Sequence, residues 1–97
     1  MEIKQAVMVG TLESSDIQIS ISPNPNKGLE IQLQSVVNAQ FGDSIIATIT
    51  EVLESFGIKD AVVNAADRGA LDWIIRARTQ AACCRATETK FDWEGEN

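Results

Sequence analysis

The chain has 97 residues, 44% of them hydrophobic and 23% charged, with a formal net charge of −6. That length holds one hydrophobic core and not two, and the acidity argues against nucleic-acid binding, which needs a basic footprint. The apolar runs fall far short of the ~20 residues of a membrane span, and no basic segment followed by a long apolar stretch opens the sequence, so neither a span nor a secretory signal is expected.

The first predicted element is a short strand at Ala6 to Val9. It runs into Gly10-Thr11-Leu12-Glu13-Ser14-Ser15-Asp16, a polar turn whose glycine permits positive φ and whose hydroxyls and carboxylate can bond their own backbone. From Ile17 the pattern alternates, with Ile17, Ile19 and Ile21 on one face and Gln18, Ser20 and Ser22 on the other, as in a half-buried strand. Pro23-Asn24-Pro25-Asn26-Lys27-Gly28 breaks it. Leu29, Ile31 and Leu33 then alternate with Glu30, Gln32 and Gln34, and the two strands are expected to pair antiparallel as a hairpin with one wet face.

Ser35 is the candidate N-cap of the next element. Phe41, Ile45, Ile49, Val52, Leu53 and Phe56 recur at helical steps, Gly42-Asp43 is a candidate break, and Gly57 supplies a C-cap. Ala61-Val62-Val63, short and β-branched, reads as a strand buried on both faces or central in the sheet. Asp67 is the expected cap of a second helix from Arg68 to about Ala86, with Leu71, Ile74, Ile75, Arg78 and Ala82 on one stripe and small alanines beside it. The class expected is α+β, a two-layer sandwich ordered β-β-β-α-β-α, with a mostly antiparallel sheet and both long helices on one face. The stretch from Leu29 to Ala66 reads as a right-handed crossover if its two strands are parallel. Residues 1–86 form the domain; 87–97 read as an acidic, mobile tail in which Phe91 and Trp93 could anchor.

Little in this series can do chemistry unaided. The chain has no histidine, and Cys83 and Cys84 are adjacent on a predicted helix, the spacing of neither a disulfide framework nor a zinc site. They read as small apolar residues in a reducing compartment, so no metal is expected and the cytoplasm is the expected location. No carboxylate pair has acid/base spacing, and no glycine-rich phosphate loop is present; no catalytic residue is assigned. Arg68, Arg76, Arg78 and Arg85 are half of the eight basic residues and fall together. They read either as a solvated helix face, with Asp72 paired to Arg76 at i,i+4, or as guanidinium groups for phosphates or an acidic partner; Arg78, beside the apolar stripe, is the one singled out. Trp73 reads as a core-edge residue, with an interface anchor as the alternative.

Taken alone, Ser14 is an exposed hydroxyl with no base to activate it, a turn-former like most serines in such places. The opening Met1-Glu2-Ile3-Lys4-Gln5, the run from Gly10 to Asp16, and Gly69-Ala70-Leu71-Asp72 followed by Arg76-Ala77-Arg78 resemble the acyl carrier protein (γ subunit) of citrate lyase. In that family a serine of the Leu-Glu-Ser turn carries a 2'-(5''-phosphoribosyl)-3'-dephospho-CoA group through a phosphodiester, and the matching residue is Ser14. Some members have glycine next, where this chain has a second hydroxyl, Ser15. The resemblance implies a non-catalytic carrier that moves acetyl and citryl thioesters between a transferase (α) and a lyase (β) subunit as citrate is cleaved to acetate and oxaloacetate. A separate attachment enzyme loads it. Phosphopantetheine carriers, by contrast, are helical bundles with Asp-Ser-Leu at a helix start; here the serine is flanked by Glu13 and Ser15, and at least three segments read as strands. Two other readings stand beside it: the carrier subunit of malonate decarboxylase, which uses the same type of group, and a binding or regulatory α+β domain.

Overall fold

A computed structural model describes residues 1–37 and 39–89. Four strands, β1 (Val7–Val9), β2 (Ile17–Ser22), β3 (Leu29–Ser35) and β4 (Ala61–Asp67), and two helices, α1 (Ala39–Ser55) and α2 (Asp72–Thr87), follow in the expected β-β-β-α-β-α order. The sheet order is β1-β2-β4-β3. β2 pairs antiparallel with β1 and with β4, whereas β3 pairs parallel with β4.

That order corrects the expected hairpin. β2 and β3 alternate as read, but β4 lies between them. Its inward residues Ala61, Val63 and Ala65 are almost wholly buried, which suits a central strand with neighbours on both sides. The loop 23–28 therefore steps over the start of β4 instead of turning tightly. Asn24 is buried and its side-chain amide donates to the Gly28 carbonyl (3.0 Å), the Asp60 carboxylate accepts from Gly28 N–H (2.7 Å), and Ala61 N–H donates to the Gly28 carbonyl (3.1 Å).

One face of the sheet carries the core. Ile17, Ile19 and Ile21 of β2 lie in register with Asp67, Ala65 and Val63 of β4, and Leu33 and Ile31 of β3 continue those rows. Both helices cover this face: Ile45, Ile49, Val52 and Leu53 come from α1, and Ile75, Ala82, Cys83 and Ala86 from α2. The other face presents Met8, Gln18, Ser20, Gln32, Gln34 and Asn64. α1 ends in a Schellman motif: Gly57 at φ +68° donates to the Glu54 carbonyl and Ile58 to that of Leu53.

The helix starts differ from expectation. α1 begins at Ala39, and Ser35 closes β3, donating to the Asp67 carboxylate (2.8 Å) and accepting from Val37 N–H (3.1 Å). It does not cap α1. The helix runs unbroken through Gly42-Asp43. Asp67 ends β4, buried, and accepts from Ala70 N–H (2.9 Å); α2 starts five residues later behind Leu71, whose side chain forms no cap. Arg68 thus precedes the helix. The buried stripe of α2 is Ile75, Thr79, Ala82, Cys83, Ala86 and Thr87, while Leu71 and Trp73 are about two-thirds exposed. Thr79 and Thr87 hide their polarity by donating to the carbonyls four residues back, at 2.7 and 2.8 Å. Trp73 is therefore a surface residue, not a core-edge one. Of the tail, Thr87 belongs to α2 and Glu88 is its left-handed C-cap; 90–97, with Phe91 and Trp93, lie outside the described residues.

Candidate functional site

β1 and β2 are adjacent and antiparallel, so the 10–16 turn is their connection. Its base is held tightly. Gly10 sits at φ +91°, and a Cβ there would stand 2.0 Å from the Ile17 carbonyl oxygen, so only glycine fits. Thr11 Oγ1 accepts from Glu13 N–H (3.1 Å) and donates to Asp16 Oδ2 (2.7 Å). Asp16 N–H donates to the Glu13 carbonyl (3.2 Å), closing a four-residue turn with Ser14 and Ser15 at its middle.

Two further attachments tie this base to the body. Ser15 N–H donates to the Arg68 carbonyl (2.8 Å) and Arg68 N–H to the Asp16 carbonyl (2.9 Å), which extends the β2–β4 pairing past Ile17 and Asp67. From α2, Arg78 grips the Asp16 carboxylate with two donors, Nε to Oδ1 (3.0 Å) and Nη2 to Oδ2 (3.1 Å). The Arg78 guanidinium foremost, then the Thr11 hydroxyl, holds the Asp16 carboxyl down at about 2. A carboxylate so engaged is a poor proton acceptor.

The tip is bare. Leu12, Glu13, Ser14 and Ser15 are all exposed, and the Ser14 hydroxyl has no partner among the described residues. Ser15 occupies φ +66° at the third position of the turn, where glycine is the favoured residue. The glycine that some carriers of the resembling family have at this place matches that backbone demand. With Asp16 occupied and no histidine in the chain, none of the described residues is hydrogen-bonded to Ser14 so as to activate it as a nucleophile. What the arrangement does is hold a hydroxyl out at a fixed place.

The four arginines do not act as one patch. Arg76 bonds Asp72 (2.8 Å) and Glu51 (3.1 Å), which joins α2 to α1 and raises its already high pKa, through Glu51 first and Asp72 second. Arg78 belongs to the turn, and Arg85 stands in the last turn of α2, where a cation suits the helix dipole. Arg68 is exposed, and its guanidinium has no partner among the described residues. The sequence singled out Arg78, but its partner 62 positions away carried no local signal. Burial pushes the Cys83 thiol up to about 12 and Cys84 upward as well, so both are poor nucleophiles at neutral pH.

Topology brings more to this end of the molecule. The start of β2, the ends of β3 and β4 and the first turns of both helices all lie here. So do Leu12, Val36, Phe41, Leu71 and Trp73, five large apolar residues each at least half exposed. A recess of about 730 Å³ among Met1, Pro23, Lys27 and Lys59 is at the opposite end and remote from the turn. Among the described residues no group of three or more His, Cys, Asp or Glu could hold a metal, and no helix is long and apolar enough to cross a membrane.

Comparison with known proteins bears on this geometry. The family model for the malonate decarboxylase delta subunit (MdcD) matches residues 4–86. The chain is 54% identical to the citrate lyase acyl carrier protein of Lactobacillus helveticus, over 93% of this chain and 92% of that one. It is 49% identical to that of Oenococcus oeni (97% and 98% covered) and 46% identical to that of Clostridium perfringens (96% and 93%). A chain in the crystal structure of a Pseudomonas malonate decarboxylase hetero-tetramer in complex with malonate has the same fold, with a TM-score of 0.61 over 84% of both chains at 19% identity. With a bare hydroxyl on a fixed turn, no activating base beside it, and half its residues shared along nearly the whole length, the chain belongs to the family of citrate lyase acyl carrier proteins.

Proposed function

We propose that the Ser14 Oγ bears, through a phosphodiester, a 2'-(5''-phosphoribosyl)-3'-dephospho-CoA arm, and that the domain delivers the arm's acyl end in turn to a transferase (α) and a lyase (β) subunit in the cytoplasm. The observation that carries the reading is the contrast between an unpartnered, exposed Ser14 hydroxyl and a turn base fixed to both the sheet and α2. Such a mount lets a tether swing while its root stays put, and raises the effective concentration of the acyl group at each partner site. When bound, the group supplies a thioester, which is a good acyl leaving group and acidifies the adjacent carbon. The protein's part is positioning. Gly10 and Asp16 keep the root in place, Glu13 and Ser15 leave the hydroxyl open to the attachment enzyme, and the exposed apolar side chains around the turn offer partner subunits a surface to meet.

Intact-mass measurement on protein taken from its own host, followed by peptide mapping, tests this. The expected result is the mass of one such group on the peptide containing Ser14. A native chain with no added mass, or with the group on Ser15, refutes the assignment. The family model named for malonate decarboxylase keeps one second reading in view. Turnover of the assembled complex with citrate and not with malonate is the outcome expected from the relatives.

A further inference from the structure

The uncovered face of the sheet is not an ordinary solvated surface. It is concave beside the turn, where a recess of about 430 Å³ is bounded by Leu12, Gln18, Gln34, Val36, Ala66 and Arg68. A second recess of about 280 Å³ shares Gln18, Gln34 and Ala66 with the first and continues to Ser20, Asn64 and Met8. Sharing these walls, the two adjoin as a trough that runs from Leu12 of the 10–16 turn across the central strands.

Its lining has a consistent chemistry. Gln18, Gln32, Gln34 and Asn64 project carboxamides whose side chains have no partner among the described residues, each able to donate and to accept. The outward positions of β1 to β4 carry a single charge, Glu30, at the end of β3 farthest from the turn. At the near end stands Arg68, whose guanidinium is unpaired among the described residues of a chain of net charge −6, and whose backbone is bonded on either side to Ser15 and Asp16. A single cation at the entrance followed by a row of neutral amides does not match a lipid surface, which calls for a basic or apolar face. It suits a ligand that carries phosphate near its root and, beyond its sugars and base, amide groups toward a polarisable end, which Met8, 60% exposed, could meet.

We infer that this trough is the resting cradle of the chain's own Ser14-linked arm, with Arg68 on its phosphates and the sheet carboxamides along its amide-bearing tether. The inference rests on the reading of Ser14 given above. It gives the arm two states, docked on the sheet and extended toward a partner, with exposed contacts that are individually weak enough to release it.

Backbone and side-chain amide NMR spectra of the arm-bearing protein, compared with those of the bare chain from a host without the attachment enzyme, test it. Signals that move at Gln18, Gln34, Asn64, Ala66 and Arg68, as well as at 12–16, support the cradle. In the arm-bearing Arg68→Gln protein, the docked-to-free ratio read from those shifts should fall about two- to fivefold, the range an exposed ion pair supports, and Arg68→Lys should recover part of it. Shifts confined to 12–16 in a chain whose mass proves the arm is present overturn the cradle and leave the attachment reading standing. A native chain without added mass overturns both. Arg68 is exposed and makes no side-chain contact in the core, so these variants fold.

Discussion

The base and the tip of the 10–16 turn differ as sharply as any two regions of the molecule. At the base, Gly10 lies against the Ile17 carbonyl, Asp16 takes bonds from Thr11, Ile17 and Arg78, and Arg68 clasps the backbone on both sides. At the tip, a few residues away, the exposed Ser14 hydroxyl makes no hydrogen bond among the described residues. On the reading proposed for Ser14, the difference is the division of labour expected of a carrier: interactions fix where the group is rooted and leave its reactive bond alone. Perturbing the tip should therefore erase function at no cost in stability, and perturbing the base should do the reverse.

Ser14→Ala is the largest expected effect. The purified variant should unfold at the wild-type midpoint, yet the complex rebuilt with it should show no citrate cleavage. Measurable turnover would break the comparison at the tip. Gly10→Ala is next: a methyl group aimed at the Ile17 carbonyl from a left-handed backbone should lower stability by about 2–4 kcal/mol in urea titration, while any folded fraction still accepts the arm.

Arg78→Ala is a smaller test of the base, with an expected loss of about 1–2 kcal/mol at neutral pH. The sign of its pH dependence follows from Asp16, whose folded pKa lies below its ordinary 3.8 at about 2. The carboxylate's contribution is complete above about pH 4 and disappears as pH falls through about 2. The stability gap between wild type and Arg78→Ala should thus stay level from pH 7 to about pH 4 and narrow below it; a gap that widens in acid would contradict the pairing. Ser15→Gly is the smallest effect. Relief of a left-handed serine, partly offset by glycine's freedom when unfolded, should stabilise by about 0.5 kcal/mol in thermal melts and leave the mass gained on attachment unchanged.

The sequence disclosed most of what is local. Alternation located β2 and β3, helical spacing located the core of α1, and Gly57 marked its end, because each signal sits within the element it describes. The small, β-branched run near Ala61 was read as buried on both faces or central; β4 is central, with one face buried and Asn64 exposed on the other. Pairing was less legible: β2 and β3 each have one apolar face, and that pattern is satisfied equally by a hairpin or by a third strand inserted between them. The buried stripe of α2 was misplaced because Thr79 and Thr87 read as polar until their hydroxyls turn back to the helix, while Leu71 and Trp73 read as apolar yet face outward. Ser35 and Asp67 read as caps, and folding instead brings them together across parallel strands at the rim of the turn end.

At the site, the 10–16 segment was legible as a turn, and Arg78 was singled out by its place beside the apolar stripe. Its ion pair with Asp16 was not, since it joins elements at opposite ends of the chain. Nor was the strain at Ser15, which depends on a backbone angle and not on residue type.

The placement of β4 sets the order of events in the protein's manufacture. On a ribosome, β1, β2 and β3 all emerge before the strand that must lie among them, and the clasp on the serine-bearing loop needs Arg68 and then Arg78, later still. A nascent chain should therefore offer the loading enzyme only a floppy, unrecognisable loop. We expect loading to follow release, and a pulse-labelling experiment in which stalled chains ending before residue 68 already bear the group would contradict that timing.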